Sequence, residues 1–293
     1  MRTLLLCLSI GVFTTFVSGK EPFLPNLGPD LPSITVHCGE VTLMLRQSSQ
    51  WTPGRIDFRG VAMTTEKSAY GTVFSFPDVG FIGTNHLENE PEPLTSLAFF
   101  LDGKELTEPT AELRGNSFRF VRVSKIRDFD LRCEVEVKNN RLFETTTVRT
   151  ASKVPLKLVY HFMHAWTPTV DAYLAGSEAG PEEQISGVFL DTPEEARKFH
   201  VKKRVDWVAV REPGSGQFAV SRLLEAPDSA GNVSMIWNVP ATYRKFYLKC
   251  FDGETVPAGF EGTWRMVTGF GADGKGDWES GARLLAKELS EQK

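Results

Sequence analysis

The segment from Val79 to Lys104 contains the first residues whose types and spacing could do chemistry. His86, Glu88 and Glu90 occupy every second position there. If the chain is extended, the imidazole and both carboxylates point to the same side. Neighbouring carboxylates raise the pKa of one another and of the imidazole, which suits proton transfer or a divalent cation. The alternative is a solvated loop in which the histidine is incidental.

A second candidate is LVYHFMHAWTP, residues 158–168, which contains His161 and His164. On a regular strand these two side chains face opposite sides, so only a bulge or the strand end would bring both to one cleft. Tyr160 and Trp166 lie beside them. Aromatic faces stack on the C–H groups of sugars, and polar atoms bind the hydroxyls, so both residues are predicted substrate contacts. The alternative for each histidine is a hydrogen-bonded core residue.

The third candidate segment, residues 239–270, combines polar and aromatic residues. Arg244 and Arg265 are each able to hold a carboxylate through two hydrogen bonds. Glu261 adds a carboxylate in the same region. For Lys245 the sequence favours an exposed, solvating charge.

Alternating apolar and polar residues indicate the elements that must position these groups. SFRFVRVSKI, DLRCEVEVK and RLFETTTVRT are short, rich in β-branched or aromatic residues, and bounded by turn residues. KNNR and LDGK are predicted hairpin turns. Helical patterns are few: DTPEEARKF at 191–199, and the C-terminal DWESGARLLAKELSEQ, for which Asp277 is the predicted N-cap. We predict an all-β chain, a large antiparallel two-sheet sandwich with a C-terminal helix.

The first twenty residues, MRTLLLCLSIGVFTTFVSGK, predict a signal peptide at 1–19 and a secreted or periplasmic protein. An extended arm at 20–34 and a single β-sandwich domain at 35–293 follow. No later segment is long and apolar enough to span a membrane. The mature chain keeps Cys38, Cys133 and Cys250, so at most one disulfide forms.

Charge and motifs exclude several classes of function. The formal net charge is -4 and no basic block is present, which argues against nucleic-acid binding. The sequence contains no Gly-x-Ser-x-Gly elbow, Walker loop, His-Glu-x-x-His or dinucleotide fingerprint. No metal site or cofactor is predicted, and oligomeric state is left open.

Three motifs carry a resemblance to a known superfamily. WTPGRIDFRGVAM looks like an early strand pair, LKLVYHFMHAWTP is similar to a central histidine-bearing strand, and TWRMVTGFGA is similar to a last strand before the tail. Together they resemble the galactose-mutarotase-like superfamily, whose β-supersandwich aldose epimerases share with domains of polysaccharide lyases and glycosidases. The resemblance implies that His161 or His164 acts as acid, Glu261 as base, and His86 as an assisting histidine.

The function this implies is the handling of a carbohydrate, by His and Glu acid–base chemistry if the protein is an enzyme. The competing interpretations are a non-catalytic glycan-binding module and a structural envelope protein. As a hypothesis, His86 with Glu88 or Glu90 shares one sugar-binding cleft with His161 or His164.

Overall fold

The computed structural model describes residues 33–65, 71–84, 86, 89–178, 183–196, 198–273 and 276–292. Strand makes up 59% and helix 9% of the structure, which confirms the all-β prediction. The first twelve strands are β1 (Ser33–Cys38), β2 (Val41–Arg46), β3 (Pro53–Phe58), β4 (Val61–Ala62), β5 (Val73–Phe76), β6 (Gly80–Gly83), β7 (Leu94–Leu101), β8 (Lys104–Leu106), β9 (Glu112–Gly115), β10 (Ser117–Ile126), β11 (Phe129–Lys138) and β12 (Arg141–Thr150). The remaining elements are β13 (Val154–Pro155), β14 (Leu158–Trp166), β15 (Ala172–Gly176), β16 (Ile185–Val188), β17 (Phe199–Lys203), β18 (Trp207–Glu212), β19 (Gln217–Glu225), β20 (Val233–Val239), β21 (Tyr243–Cys250), β22 (Thr255–Val256), β23 (Glu261–Ala272) and the helix α1 (Trp278–Ser290).

Two large sheets form the sandwich. The ten-stranded sheet has the order β16-β15-β18-β19-β23-β12-β11-β10-β7-β8, and the six-stranded sheet has the order β17-β20-β21-β14-β5-β6. A five-stranded sheet, β4-β3-β2-β1-β9, and the ribbon β13-β22 are added to them. Among the described strands only β1 and β9 pair in parallel. Buried side chains from all three larger sheets form one hydrophobic core, which confirms the predicted sandwich.

Local turn chemistry explains the long hairpins. Asn139 and Asn140, between β11 and β12, have φ values of 51° and 56°. Asp102 and Gly103, between β7 and β8, also have positive φ. Two successive residues of positive φ give the turn whose twist matches that of paired strands. Both predicted hairpins are therefore present.

The helix α1 covers part of the outer face of the ten-stranded sheet. The Asp277 side chain accepts a hydrogen bond from the Ser280 amide, as expected of an N-cap. Trp278, Ala282, Ala286 and Leu289 are buried against β15, β18, β19 and β23. A Cβ on Gly269 of β23 would lie 3.2 Å from leucine side chains of the helix, so the glycine permits this close approach.

Two local predictions need correction. Among the described residues of the segment 191–199, the helical structure is limited to a short 3-10 turn, Pro193–Glu195, because Ala196 is already extended and the segment has no apolar stripe. Ser33 and Ile34 belong to β1 rather than to the arm, since Ile34 pairs with Leu45 and is buried. The predicted signal peptide and residues 20–32 of the arm lie outside the described residues. No helix in the described ranges has the length and apolar character needed to cross a membrane.

Candidate functional site

A bulge at the centre of β14 decides which way the candidate residues point. His161 pairs with Leu248 and His164 with Phe246, so β14 has one residue more than β21 between these positions. The extra residue, Phe162, has a φ of 54°, which a bulky side chain rarely adopts. Both imidazoles consequently face the sandwich interior, and the neighbouring Tyr160 faces outward.

His161 is enclosed in the core. Its side chain is fully buried, its ring centroid lies 4.4 Å from that of Trp264, and Nδ1 is 3.0 Å from Thr72 Oγ1. Burial lowers the pKa of His161 to about 3, so its imidazole is neutral at ordinary pH. Trp264 in turn donates a hydrogen bond to Asn232 Oδ1 at 2.8 Å. The Nε2 atom of His161 is buried and has no hydrogen-bond partner in the described part of the chain, so His161 is a core residue held through Nδ1 alone.

His164 forms the interior pair that most resembles acid–base chemistry. Nε2 lies 2.8 Å from Glu144 Oε2, and Nδ1 lies 3.5 Å from Ser221 Oγ. Ser221 also contacts Thr268 at 2.9 Å. The carboxylate orients the ring. An imidazole held in this way is able to exchange a proton, provided that a substrate reaches it.

A buried ion pair completes the interior polar cluster, which we define as His161, His164, Glu144, Thr72, Thr146, Ser221, Thr268, Arg122 and Glu92. Arg122 lies 3.5 Å from Glu92 and donates to Thr84 Oγ1 at 3.0 Å, and both charged side chains are almost wholly buried. A cavity lined by Arg122, Glu144 and Thr72 leaves about 20 Å³ of free volume. That is room for one or two water molecules and not for a sugar.

His86 lies on the other side of β14. Its Nε2 is 3.0 Å from the Tyr160 hydroxyl, and its ring stacks on Phe81 at 5.2 Å. Since His161 and His164 both face the interior, His86 shares a cleft with neither of them, and the hypothesis that it shares one with His161 or His164 is wrong. Glu88 lies outside the described residues. Glu90 accepts hydrogen bonds from Arg127, whose guanidinium lowers the pKa of that carboxyl.

The outer face of the six-stranded sheet carries a continuous series of rings. We define the aromatic–lysine stripe as Phe199, Trp237, Lys245, Tyr247, Tyr160, His86 and Phe81. Lys245 Nζ lies 4.9 Å from the ring centroid of Tyr160, 5.2 Å from that of Tyr247 and 5.5 Å from that of Trp237. Phe199 stacks on Trp237 at 6.2 Å. The stripe therefore reaches from β17 at one edge of the sheet to β6 at the other.

Burial gives Lys245 an unusual environment. The residue is 8% exposed, and this burial lowers its pKa to about 8. Ring faces attract a cation and so oppose part of the desolvation cost. At neutral pH the amine is mainly charged. The expectation that Lys245 is an exposed, solvating charge is therefore wrong.

The remaining predicted site residues lie apart from the stripe. Arg244 is buried and donates to Asp191, Asn238 and backbone carbonyls, so its donors are used within the protein. Trp166 is buried in the core beside His164 and offers no ring face to a ligand. Glu261 and Arg265 lie on the outer surface of the ten-stranded sheet, paired with Arg149 and Glu225.

Several site residues were missed by the sequence reasoning, although one signal was available. In YRKFYLK, residues 243–249, Tyr243, Lys245 and Tyr247 occupy every second position and so share one face of a strand. Trp237 has no local signal, because its position beside Lys245 follows from strand pairing. Glu144 and Arg122 likewise depend on long-range packing. In the described part of the chain, no group of three or more His, Cys, Asp and Glu side chains is placed to hold a metal ion.

Comparison with known proteins identifies the fold. No protein-family model matches the chain, and no curated protein matches it in sequence. The Slr1438 protein from Synechocystis sp. PCC 6803 superposes with a TM-score of 0.54 at 8% identity, over 87% of this chain and 100% of that one. A galactose mutarotase-like protein from Lactobacillus casei gives 0.51 at 9% identity, over 82% of this chain and 100% of its own. The chain thus has a galactose mutarotase-like fold, which confirms the resemblance.

Proposed function

We propose that this protein binds a carbohydrate along the aromatic–lysine stripe and that it is exported from the cell. The unbroken series of ring contacts across the six-stranded sheet carries the proposal. Both ends of the series are open to solvent, with Phe199 46% exposed and Phe81 37% exposed. A ligand that meets several rings in a row fits an oligosaccharide better than a compact molecule.

The stripe combines the two kinds of group that sugar recognition needs. Half-buried Trp237 and Tyr247 present apolar ring surface to sugar C–H groups. Half-buried His86, hydrogen-bonded to Tyr160, adds a polar group, and Tyr160 and Lys245 are packed between the rings with only 4% and 8% exposure. Apolar walls with a few placed polar groups are typical of small-molecule sites. The sugar-related name of the Lactobacillus casei protein of the same fold agrees with this ligand class.

Binding to a glycan array, followed by calorimetry on the best ligand, tests the proposal. Trp237→Ala should weaken binding about tenfold or more, because truncating a central aromatic contact usually has a large effect on affinity. Phe100→Ala is the matched control, since Arg119 lies 4.1 Å over the Phe100 ring on the other large sheet. The control should bind like the wild-type protein. Equal losses in both variants, or no glycan binding at all, would contradict the proposal.

A second candidate function is proton transfer at a sugar, carried out by His164 and Glu144. The 2.8 Å contact between them favours it, and Glu144 borders the interior cavity. In this scheme Glu144 holds the imidazole, which gives or takes the proton at a sugar oxygen. We rank proton transfer below carbohydrate binding because the free volume of this cavity is too small for a sugar. Polarimetry with free aldoses should show turnover that Glu144→Gln abolishes, and a rate unchanged by this substitution would dismiss it.

Export is supported by the sequence alone. The positive start, apolar run and small residues at 17–19 are those of a cleaved signal. N-terminal sequencing of the exported protein should therefore begin near Lys20. Recovery of the intact Met1 on a membrane-bound product would contradict this part of the proposal.

A further inference from the structure

A large cavity lies where the five-stranded sheet meets the ten-stranded sheet, apart from the aromatic–lysine stripe. It is bordered by Ser33 and Ile34 at the start of β1, by Trp51 in the connection between β2 and β3, and by the connection between β8 and β9. Its volume is about 750 Å³. Sites for small molecules usually have volumes of about 300–1,000 Å³. The cavity is therefore large enough for a ligand, unlike the interior cavity beside Glu144.

An unusual backbone conformation holds Trp51 in the cavity wall. Gln50 and Trp51 have φ values of 50° and 63°, in the left-handed region that bulky side chains rarely adopt. Buried Arg122 donates to Gln50 Oε1 at 3.3 Å, and Gln50 Nε2 donates to the Glu92 carbonyl at 2.7 Å. The half-buried Trp51 ring meets Phe99 edge-on at 5.6 Å. Strain of this kind persists only where the surroundings impose it, and it is concentrated at functional sites. The indole is thus fixed at the cavity before a ligand arrives.

The polar groups of the cavity wall are hydroxyls and one carboxylate. Ser33 and Thr107 each contribute a hydroxyl, and the exposed Glu108 contributes the carboxylate. No Lys, Arg or His borders the cavity among the described residues. A carboxylate accepts hydrogen bonds and repels an anion. The wall therefore favours a neutral ligand that carries hydroxyl groups.

We infer that this cavity is a second binding site, for a neutral saccharide whose ring packs against Trp51 and whose hydroxyls bond to Glu108. The two surfaces of a sugar, apolar C–H groups and hydroxyls, match the two kinds of group in the wall. The site lies on other sheets than the stripe and does not depend on the function proposed for the stripe.

A neutral saccharide fits the wall better than other ligands that pack against an indole. A nucleotide would bring its phosphates to Glu108 with no cation among the described residues of the wall. A flat apolar molecule would cover the hydroxyls of Ser33 and Thr107 without bonding to them, which is unfavourable. A sugar offers hydrogen-bond partners to both hydroxyls and to the carboxylate.

Calorimetry with maltose, cellobiose and galactobiose tests the inference, and the wild-type protein should bind at least one of them. Trp51→Ala should weaken binding of the best probe about tenfold or more, since a central aromatic contact carries much of the affinity. Ala111→Phe puts a ring into the cavity from an exposed position and should weaken binding about as much. Thr110→Phe is the matched control, because Thr110 is the exposed neighbour of Ala111 and does not border the cavity. It should bind like the wild type.

The uronic-acid counterpart of the best disaccharide tests the part played by Glu108. The wild-type protein should bind this acid about fivefold more weakly than the neutral sugar, the effect of two like charges about 4 Å apart in water. Glu108→Gln removes the charge and keeps the size of the side chain, so it should reduce the difference to about twofold or less. Equal binding of the acidic and neutral sugars by the wild type would overturn the inferred neutral ligand.

Trp237→Ala separates the cavity from the stripe and should leave disaccharide binding within about twofold. Loss of binding in Trp237→Ala, with binding retained in Trp51→Ala and Ala111→Phe, overturns the inference and leaves the proposed function standing. Binding of no disaccharide, as expected if another part of the chain fills the cavity, also overturns it, and the glycan array still decides on the stripe. Ala111→Phe keeps the test decisive even if Trp51→Ala does not fold.

Discussion

The two sides of β14 contain similar residue types and use them in opposite ways. On the inner side, His161 and His164 bond to Thr72 and Glu144 between the sheets. On the outer side, Tyr160 belongs to a stripe whose ends are open to solvent. The inner groups are enclosed between the sheets, whereas on the outer side the rings at the two ends of the stripe, Phe199 and Phe81, are exposed to solvent. The presence of histidine and carboxylate is therefore less informative than the side of the strand they occupy.

The largest expected effect comes from breaking the inner ion pair. Arg122→Met leaves Glu92 buried without its cation, and loss of one partner of such a pair destabilises proteins by about 3–5 kcal/mol. Urea unfolding measures the change. Arg119→Met on the same strand removes a half-exposed partner of Glu134 and should cost less than about 1 kcal/mol. Equal losses of unfolding free energy in the two variants would mean that the buried Arg122 contributes no more to stability than Arg119 on the surface.

Acid should lower the stability of the fold through His161, on the inner side of β14. Its folded pKa of about 3 lies below the ordinary value of 6.5, so the unfolded chain binds the extra proton. Stability from this residue is complete above pH 6.5 and should fall by about 2.5 kcal/mol between pH 7 and pH 4.5. His161→Asn removes this part of the pH dependence. Parallel unfolding curves for variant and wild type over that range would contradict the assignment.

Alkali should raise stability through Lys245, on the outer side of the sheet, whereas acid lowers it through His161. The folded pKa of Lys245, about 8, lies below 10.5, so the charged amine costs stability in the folded state. Stability should rise by about 2 kcal/mol between pH 8 and pH 10 as the folded amine loses its proton before the unfolded one. Thermal melts of the wild type and of Lys245→Met measure the difference. A rise that persists in the variant would place its origin elsewhere.

The smallest effect on stability is expected on the outer surface of the ten-stranded sheet. Glu261 is exposed and pairs with Arg149, and exposed pairs contribute little. Glu261→Ala should therefore change stability by less than about 0.5 kcal/mol and leave glycan binding unaltered. Its predicted role as a base remains a prediction until this variant is assayed for sugar turnover. A large loss of turnover would restore it as a catalytic residue.

Local features of the fold were predictable from the sequence, but the side of β14 on which each histidine lies was not. Asn139-Asn140 and Asp277 act through their nearest neighbours, so their turn and cap follow from the sequence. The bulge has no such signal, because Phe162 is neither glycine nor asparagine and its positive φ is imposed by packing. Without the bulge, one of the two histidines would point outward.

The stripe was only partly predictable for a related reason. The alternation of Tyr243, Lys245 and Tyr247 fixes a shared face from sequence alone. That Trp237 and Tyr160 flank Lys245 depends on the order of β20, β21 and β14, whose segments are separated along the chain.

The three cysteines in the described residues have a consequence for where the protein can fold. Cys38, Cys133 and Cys250 are all buried free thiols. Burial raises the pKa of Cys38 to about 11 and that of Cys250 well above its usual value, so neither forms the reactive thiolate readily. The sandwich therefore needs no oxidant to assemble and loses nothing to a reductant.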